Sequence, residues 1–210
     1  MNRDTAVSLL KGRLKRASDT ALDTTIISEM QFVQGTVLEG AINLPWFLLS
    51  ENQTASTTID EERISLPVGF LREYEEGALW VQNDDGTWKE LIKDDYDALA
   101  NRFTTNGKPR YYALDGEYFR LKPTPDAVYA LKIRAYVADS VLSTNIENQW
   151  LLYATDLLIA ETGFIMASRY LRDEPAAQTF RFEADSARTR LFIFDEARKH
   201  ANRSYQMGDD

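Results

Sequence analysis

The sequence predicts an α+β fold, mainly a helical bundle from the N- and C-terminal helices with an inserted small antiparallel β-unit. Three observations lead there. Apolar residues recur every three or four positions toward both ends, the period falls to two between them, and no repeat or clean linker divides the chain. With 210 residues and 44% hydrophobic content, one sizeable core is within reach, so the reading is a single domain. It comprises N-terminal helices over 1–50, a β-rich insert over 57–138, long C-terminal helices over 144–200, and a tail over 201–210 expected to be mobile until bound.

Val7, Leu10, Leu14 and Ala17 form the first helical stripe, with Asn2 or Asp4 placed to cap it. Ile26, Met30, Val33, Val37 and Ala41 form the second, capped by Asp23 or Thr24. Pro45 ends that register, and "SENQTASTT" reads as a polar connector. "TIDEERISLP" then suggests short strands, and "ALWVQNDDGTWKEL" a hairpin turning at Asp85 and Gly86, where glycine accepts positive φ. "DDYDALANRF" predicts a short helix capped by Asp94 or Asp95, with Tyr96, Leu99, Ala100 and Phe103 on one side. Tyr111–Leu114 and Tyr118–Leu121 flank Asp115 and Gly116 as a second hairpin, after which Pro123 and Pro125 enforce an extended link. Tyr129, Leu131, Ile133 and Ala135 alternate with Ala130, Lys132, Arg134 and Tyr136 on the next strand. Helical spacing returns in "IENQWLLYATDLLIAETGFIMASRYL", one long central helix opened by the capping-box pair Thr144 and Glu147. Asp173, Glu174 and Pro175 stop it and start the last helix, whose repeat is Phe180, Ala184, Ala187, Leu191 and Phe194.

Composition works mainly by exclusion. Without cysteine there is no disulfide, thiolate metal site or cysteine nucleophile. Glycine patterns for dinucleotides or nucleotide phosphates are missing, so no cofactor is implied. A net charge of −9 disfavours binding by phosphate neutralisation. Charges interrupt the apolar pattern of the N-terminus, and no apolar run reaches the ~18 residues of a membrane span, so the expectation is a soluble cytosolic product with no membrane partner. His200, the sole histidine, reads as a cation at a helix end beside Arg198 and Lys199, and no serine-nucleophile motif accompanies it. Asp84, Asp85, Asp94 and Asp95 read as turn and cap residues rather than a calcium loop. One enzymatic option survives: Glu73, Glu75 and Glu76 beside Trp80 could line a cleft for peptidoglycan hydrolysis, although a solvated charged face suits the same residues. The run Tyr111, Tyr112, Tyr118, Phe119, Tyr129 and Tyr136 leaves three readings open: core packing, a subunit contact, or a platform that binds a peptide or sugar.

The segment "YYALDGEYFRLKPTPDAVYALKIRAY", followed by "LSTNIENQWLLYATDLLIAETGFIMASRYLRDEPAA", resembles the adaptor, or head-to-tail connector, proteins of tailed bacteriophages, especially the short-tailed type. The likeness lies in the hairpin-strand block and the N-x-W-L opening of the apolar helix, over Pro109–Ala177. It implies a non-enzymatic virion protein of the head-to-tail junction, made in the host cytoplasm. It further implies a cyclic ring, a dodecamer, that joins the portal protein to the tail nozzle protein and extends the channel for genomic DNA, which passes without specific binding. The acidic balance suits a lumen that repels duplex phosphate. Relatives of this kind dock on the portal through an extended terminus. Here Arg198, Lys199, Arg203 and Tyr205 are the candidates, since a basic, aromatic end can order against an acidic partner. Tyr112, Tyr118 and Tyr136 are the candidates for subunit or tail contact.

Overall fold

The computed structural model describes residues 1–206 apart from Glu76 and Asn145, with the side chains of Asn52 and of residues 199–206 outside that description. Helices stand at both ends of the chain with antiparallel sheet between them, the predicted α+β order. The chain divides into two compact units: Met1–Leu48 together with Ala138–Asp210, and Leu49–Val137.

In the first unit α1 (Arg3–Arg13) starts where the Asn2 side chain accepts from the Thr5 amide at 2.9 Å. It stops sooner than the apolar spacing suggested, because Lys15 turns left-handed (φ 57°), and Ala17 is left exposed. Asp19 caps a short 3₁₀ turn (Thr20–Leu22) that leads directly into α2 (Asp23–Phe32), so the cap lies one turn before Asp23 and Thr24. From Val33 to Leu38 the helix widens to a π turn, closed by the Glu39 amide on the Gln34 carbonyl at 2.9 Å. One inserted residue rotates everything after it. The buried stripe Ile26, Met30 and Val33 therefore resumes at Leu38, while Val37 is half-buried and Ala41 exposed.

The second unit holds β1 (Leu49–Ser56), β2 (Arg63–Ser65), β3 (Phe70–Glu73), β4 (Leu79–Gln82), β5 (Trp88–Glu90), β6 (Ile92–Lys93), α3 (Tyr96–Arg102), β7 (Tyr111–Asp115), β8 (Tyr118–Lys122) and β9 (Ala130–Val137). Both hairpins form, β4–β5 with Gly86 at φ 86° and β7–β8 with Gly116 at φ 59°. Asp95, one of the two expected caps, accepts from the Asp97 and Ala98 amides of α3 at 3.0 and 3.2 Å. The strands make two sheets rather than one: β1–β9–β4–β5, with β3 also on β9, and β2–β8–β7–β6, in which only β6–β7 is parallel. Leu131, Ile133 and Ala135 of β9 meet Tyr112, Phe119 and Leu121 of the β7–β8 hairpin in one core, as the alternation of β9 predicts. The supposed polar connector is a strand. β1 is an edge strand whose backbone pairs with β9 from Leu49↔Tyr136 to Ser56↔Ala130, and pairing of this kind does not require apolar side chains.

Returning to the first unit, the expected single long helix is broken at Ala154 (φ −138°, ψ 34°) into α4 (Gln149–Tyr153) and α5 (Thr155–Ile165). Its cap is Asn148, which accepts from the Leu151 amide at 3.1 Å, and not Thr144. A second π turn (Met166–Leu171) and left-handed Arg172 (φ 51°) precede Asp173, whose carboxylate caps α6 (Glu174–Gln206) through the Ala176 amide. α6 runs past His200, which is therefore not at its end. α5 and α6 pack closely at Gly163, where an added Cβ would lie 2.5 Å from the Phe180 ring. The guanidinium of Arg13 covers that ring at 4.7 Å and pairs with Glu183, joining α1 to the same crossing. Farther along α6 the buried register continues to Asp195, leaving Phe194 exposed against expectation.

Candidate docking surfaces

The N-x-W-L motif is the visible half of a buried polar network within the helical unit. The Trp150 indole Nε1–H donates to Glu39 Oε1 at 2.9 Å, and the Gln34 side chain and the Asp139 amide donate to the same oxygen at 3.0 and 3.2 Å. Asn148 Nδ2–H donates to the Gln34 side chain and the Ser140 carbonyl at 3.2 and 2.6 Å while its oxygen caps α4. The π turn makes this possible, since only a five-residue step puts Gln34 and Glu39 on one side of the helix. Their polar groups are inside because they satisfy one another. The network positions the segment that feeds α4.

Exposed apolar surface collects on α6. Phe180, Ala184, Ala187 and Leu191 face the bundle, whereas Phe182 and Ile193, at 76% and 62% exposure, lie on the opposite side with Ser186 and Thr189 between them at helical spacing. A groove of about 760 Å³ runs between residues 37–45 and α6, lined by Ile42, Leu44, Pro45, Leu191 and Phe192 among others. Another of about 500 Å³ lies on the far side of Leu191, between Leu152, Tyr153, Arg190 and Phe194.

Of the four residues expected to dock on the portal, Arg198 alone has a described side chain; those of Lys199, Arg203 and Tyr205 lie outside the described residues. Its guanidinium stacks on the Trp46 indole, 3.7 Å from the ring centroid, with Phe194 5.8 Å away. Asp195, one turn earlier, accepts the Trp46 amide at 2.8 Å. Trp46 also meets Tyr153 edge-on at 4.8 Å, so the corner after Pro45 is gripped by both α4 and α6. Sequence reasoning selected Arg198 and missed Trp46, for which no local signal exists.

On the β-unit, the three tyrosines expected at a contact part company. Tyr112 is buried, its hydroxyl donating to Glu73 Oε2 at 3.1 Å, and burial, then the Glu73 charge, push its phenol well above the usual range. Tyr136 is buried under Arg72 and beside Tyr74. Tyr118, 38% exposed with Arg63 over its ring, is the one presented at the surface. Outside that row, Glu62 gathers Arg120 and Lys122, each at 2.7 Å, and the Tyr96 hydroxyl at 3.0 Å. Burial alone would raise the Glu62 carboxyl; the bonds from Lys122 and Tyr96, the Lys122 charge and the Arg120 bond outweigh it and hold the group below the usual carboxylate range.

Among the described residues the proposed acidic cleft does not assemble. Glu73 is occupied by Lys93 and Tyr112, Glu75 pairs with Arg72 at 3.7 Å, and Glu76 lies outside the described residues. Among the described residues no three His, Cys, Asp or Glu side chains converge to hold a metal ion. No described helix is long and apolar enough to cross a membrane. Comparison with curated proteins finds no match. The profile of the SU10 adaptor protein family matches residues 5–207, spanning both helical ends, the β-unit and the N-x-W-L motif. The chain accordingly belongs to the SU10 adaptor protein family: it is a phage head-to-tail adaptor, a structural protein linking portal and tail components.

Proposed function

We propose that copies of this chain assemble head-to-tail into a closed dodecameric ring that joins the portal protein to the tail nozzle protein and continues the DNA channel. The observation that carries this reading is α6, which packs Phe180, Ala184 and Ala187 into the bundle and leaves Phe182 and Ile193 exposed on its opposite side. A helix of that kind belongs between two neighbours. Phe182 and Ile193 of one copy meet the next, and the groove beside Ile42 and Phe192 is an unlike patch on the same unit, as contacts repeated around an axis require. The C-terminal end of α6, with Arg198, Lys199, Arg203 and Tyr205, docks on the portal. The β-unit forms the outer or tail-facing ledge, where Tyr118 is available for contact.

Many modest contacts engaged together make the joint effectively permanent. Excess acidic charge keeps duplex DNA sliding through the lumen rather than sticking to it. The protein is made in the host cytoplasm and ends at the head-to-tail junction of the virion. Electron microscopy and pull-down with purified portal rings test the reading. Deleting residues 200–210 should abolish attachment with the fold intact, and Phe182→Ser with Ile193→Ser should attach without closing a ring. Unaltered attachment of the truncated chain refutes C-terminal docking, and complete rings from the double variant refute the role of α6.

A further inference from the structure

We infer that the Arg198–Trp46 stack, with the groove beside it, is a preformed receptor for an acidic segment of the docking partner that carries a bulky apolar side chain next to its carboxylate. This rests on the reading that the C-terminal end of α6 docks on the portal, and it names the chemistry that the portal must supply.

Charge accounting on α6 is the first argument. Arg181, Arg188 and Arg190 each hold a carboxylate, of Asp185, Glu161 and Asp156 respectively. Arg198 holds none among the described residues, in a chain where acidic side chains outnumber basic ones 33 to 24. A guanidinium whose carbon lies 3.7 Å from an indole centroid is held by cation–π contact while its N–H donors meet no carboxylate among the described residues, and a planar fork of that kind receives a carboxylate bidentately. Stacking also removes most of its rotational freedom before any partner arrives, so less is lost on binding. Asp195 does not compete, because it accepts the Trp46 backbone amide and is only 5% exposed.

Adjoining apolar surface is the second argument. Tyr153 packs against Trp46, and both Tyr153 and Phe194 are about half exposed while lining the groove of about 500 Å³ with Leu152 and Leu191. A carboxylate on Arg198 would thus sit beside a hollow that takes an apolar side chain. An anchor in a pocket with a charge-assisted bond at its margin is the arrangement that concentrates binding energy at interfaces.

Two measurements separate this site from the docking reading itself. Portal-ring attachment is measured for the full chain and for Arg198→Gln, Arg198→Lys and Trp46→Leu, with unchanged circular dichroism as the check on folding. Each should weaken attachment about tenfold, the lysine variant included because it keeps the charge and loses the fork and the stack. Arg181→Gln, altering an exposed arginine already paired with Asp185 and outside that groove, should attach normally. Attachment by Arg198→Lys and Arg198→Gln at the wild-type level overturns the site while leaving C-terminal docking standing. The second measurement needs no portal: the tripeptide acetyl-Phe-Glu-Glu-amide is titrated into the isolated chain while the Trp46 indole N–H resonance is followed. Saturable movement of that resonance, abolished in Arg198→Gln, supports the receptor. No movement at millimolar peptide overturns it whether or not the wild-type chain attaches to portal rings.

Discussion

Replacing Glu39 by alanine tests the network behind the N-x-W-L motif. The substitution strands two buried donors, the Trp150 indole N–H and the Asp139 amide, whereas Gln34 keeps the Ser140 carbonyl at 3.1 Å. Each stranded donor costs about 1–3 kcal/mol, a combined loss of about 2–6 kcal/mol. Removing a buried carboxylate that these bonds only partly repay for lost hydration offsets some of this, and the expected net loss is about 3 kcal/mol. Glu39→Gln keeps an acceptor at the same place and should cost only about 1 kcal/mol, the difference between charge-assisted and neutral bonds. Trp150→Phe removes one donor and leaves Glu39 two, for about 2 kcal/mol. Because Glu39→Ala and Trp150→Phe delete the same bond, their combination should be less harmful than the sum by about 1–2 kcal/mol. Urea unfolding followed by helical circular dichroism measures all four, with unchanged m-values as the condition for comparing midpoints. Glu39→Ala with wild-type stability, or strict additivity in the double variant, would show that these bonds contribute nothing to holding the segment before α4.

Three more outcomes are expected. Gly163→Ala should destabilise by about 2 kcal/mol in thermal melting, since overpacking against Phe180 exceeds the gain in helix propensity, and Phe180→Leu should recover much of the loss. Glu62, held below its ordinary 4.5, contributes stability that is present above that value and lost as pH falls through the lower folded value; Glu62→Gln should flatten this part of the acid limb of urea-midpoint titrations, and an unchanged limb would contradict it. The Tyr129 phenol is pushed up to about 12 by its hydrogen bond to Asp126 at 2.6 Å and by burial. Ionisation in the unfolded chain near 10 and in the folded one near 12 makes this contribution disappear across that interval as pH rises. In ultraviolet titration Asp126→Asn should shift one phenol downward, and no shift would reject the assignment.

What could be read from the residues was whatever a few neighbours decide among themselves. Asn2, Asp95 and Asp173 bond to amides two or three positions away, and Gly86 and Gly116 occupy positive φ inside their own turns. Leu131, Ile133 and Ala135 alternate with polar neighbours along one extended strand, so their burial was legible too. Of the candidate docking residues, Arg198 could be found as a cation near the end of a helix, while the indole beneath it comes from Trp46 at the opposite end of the chain.

The amino-acid order by itself determined the helix–sheet–helix succession and most caps and turns, because all of these depend on local bonds and on periodicity. Tertiary structure decided that "LSENQTAS" is a strand, that Gln34 and Glu39 share a face, and that the central helix breaks at Ala154. It also decided which tyrosines are buried and that Arg198 lies over the Trp46 ring. The physical reason is range: a partner such as Glu39 for Trp150, 111 positions away, leaves no periodic trace beside the residue it satisfies.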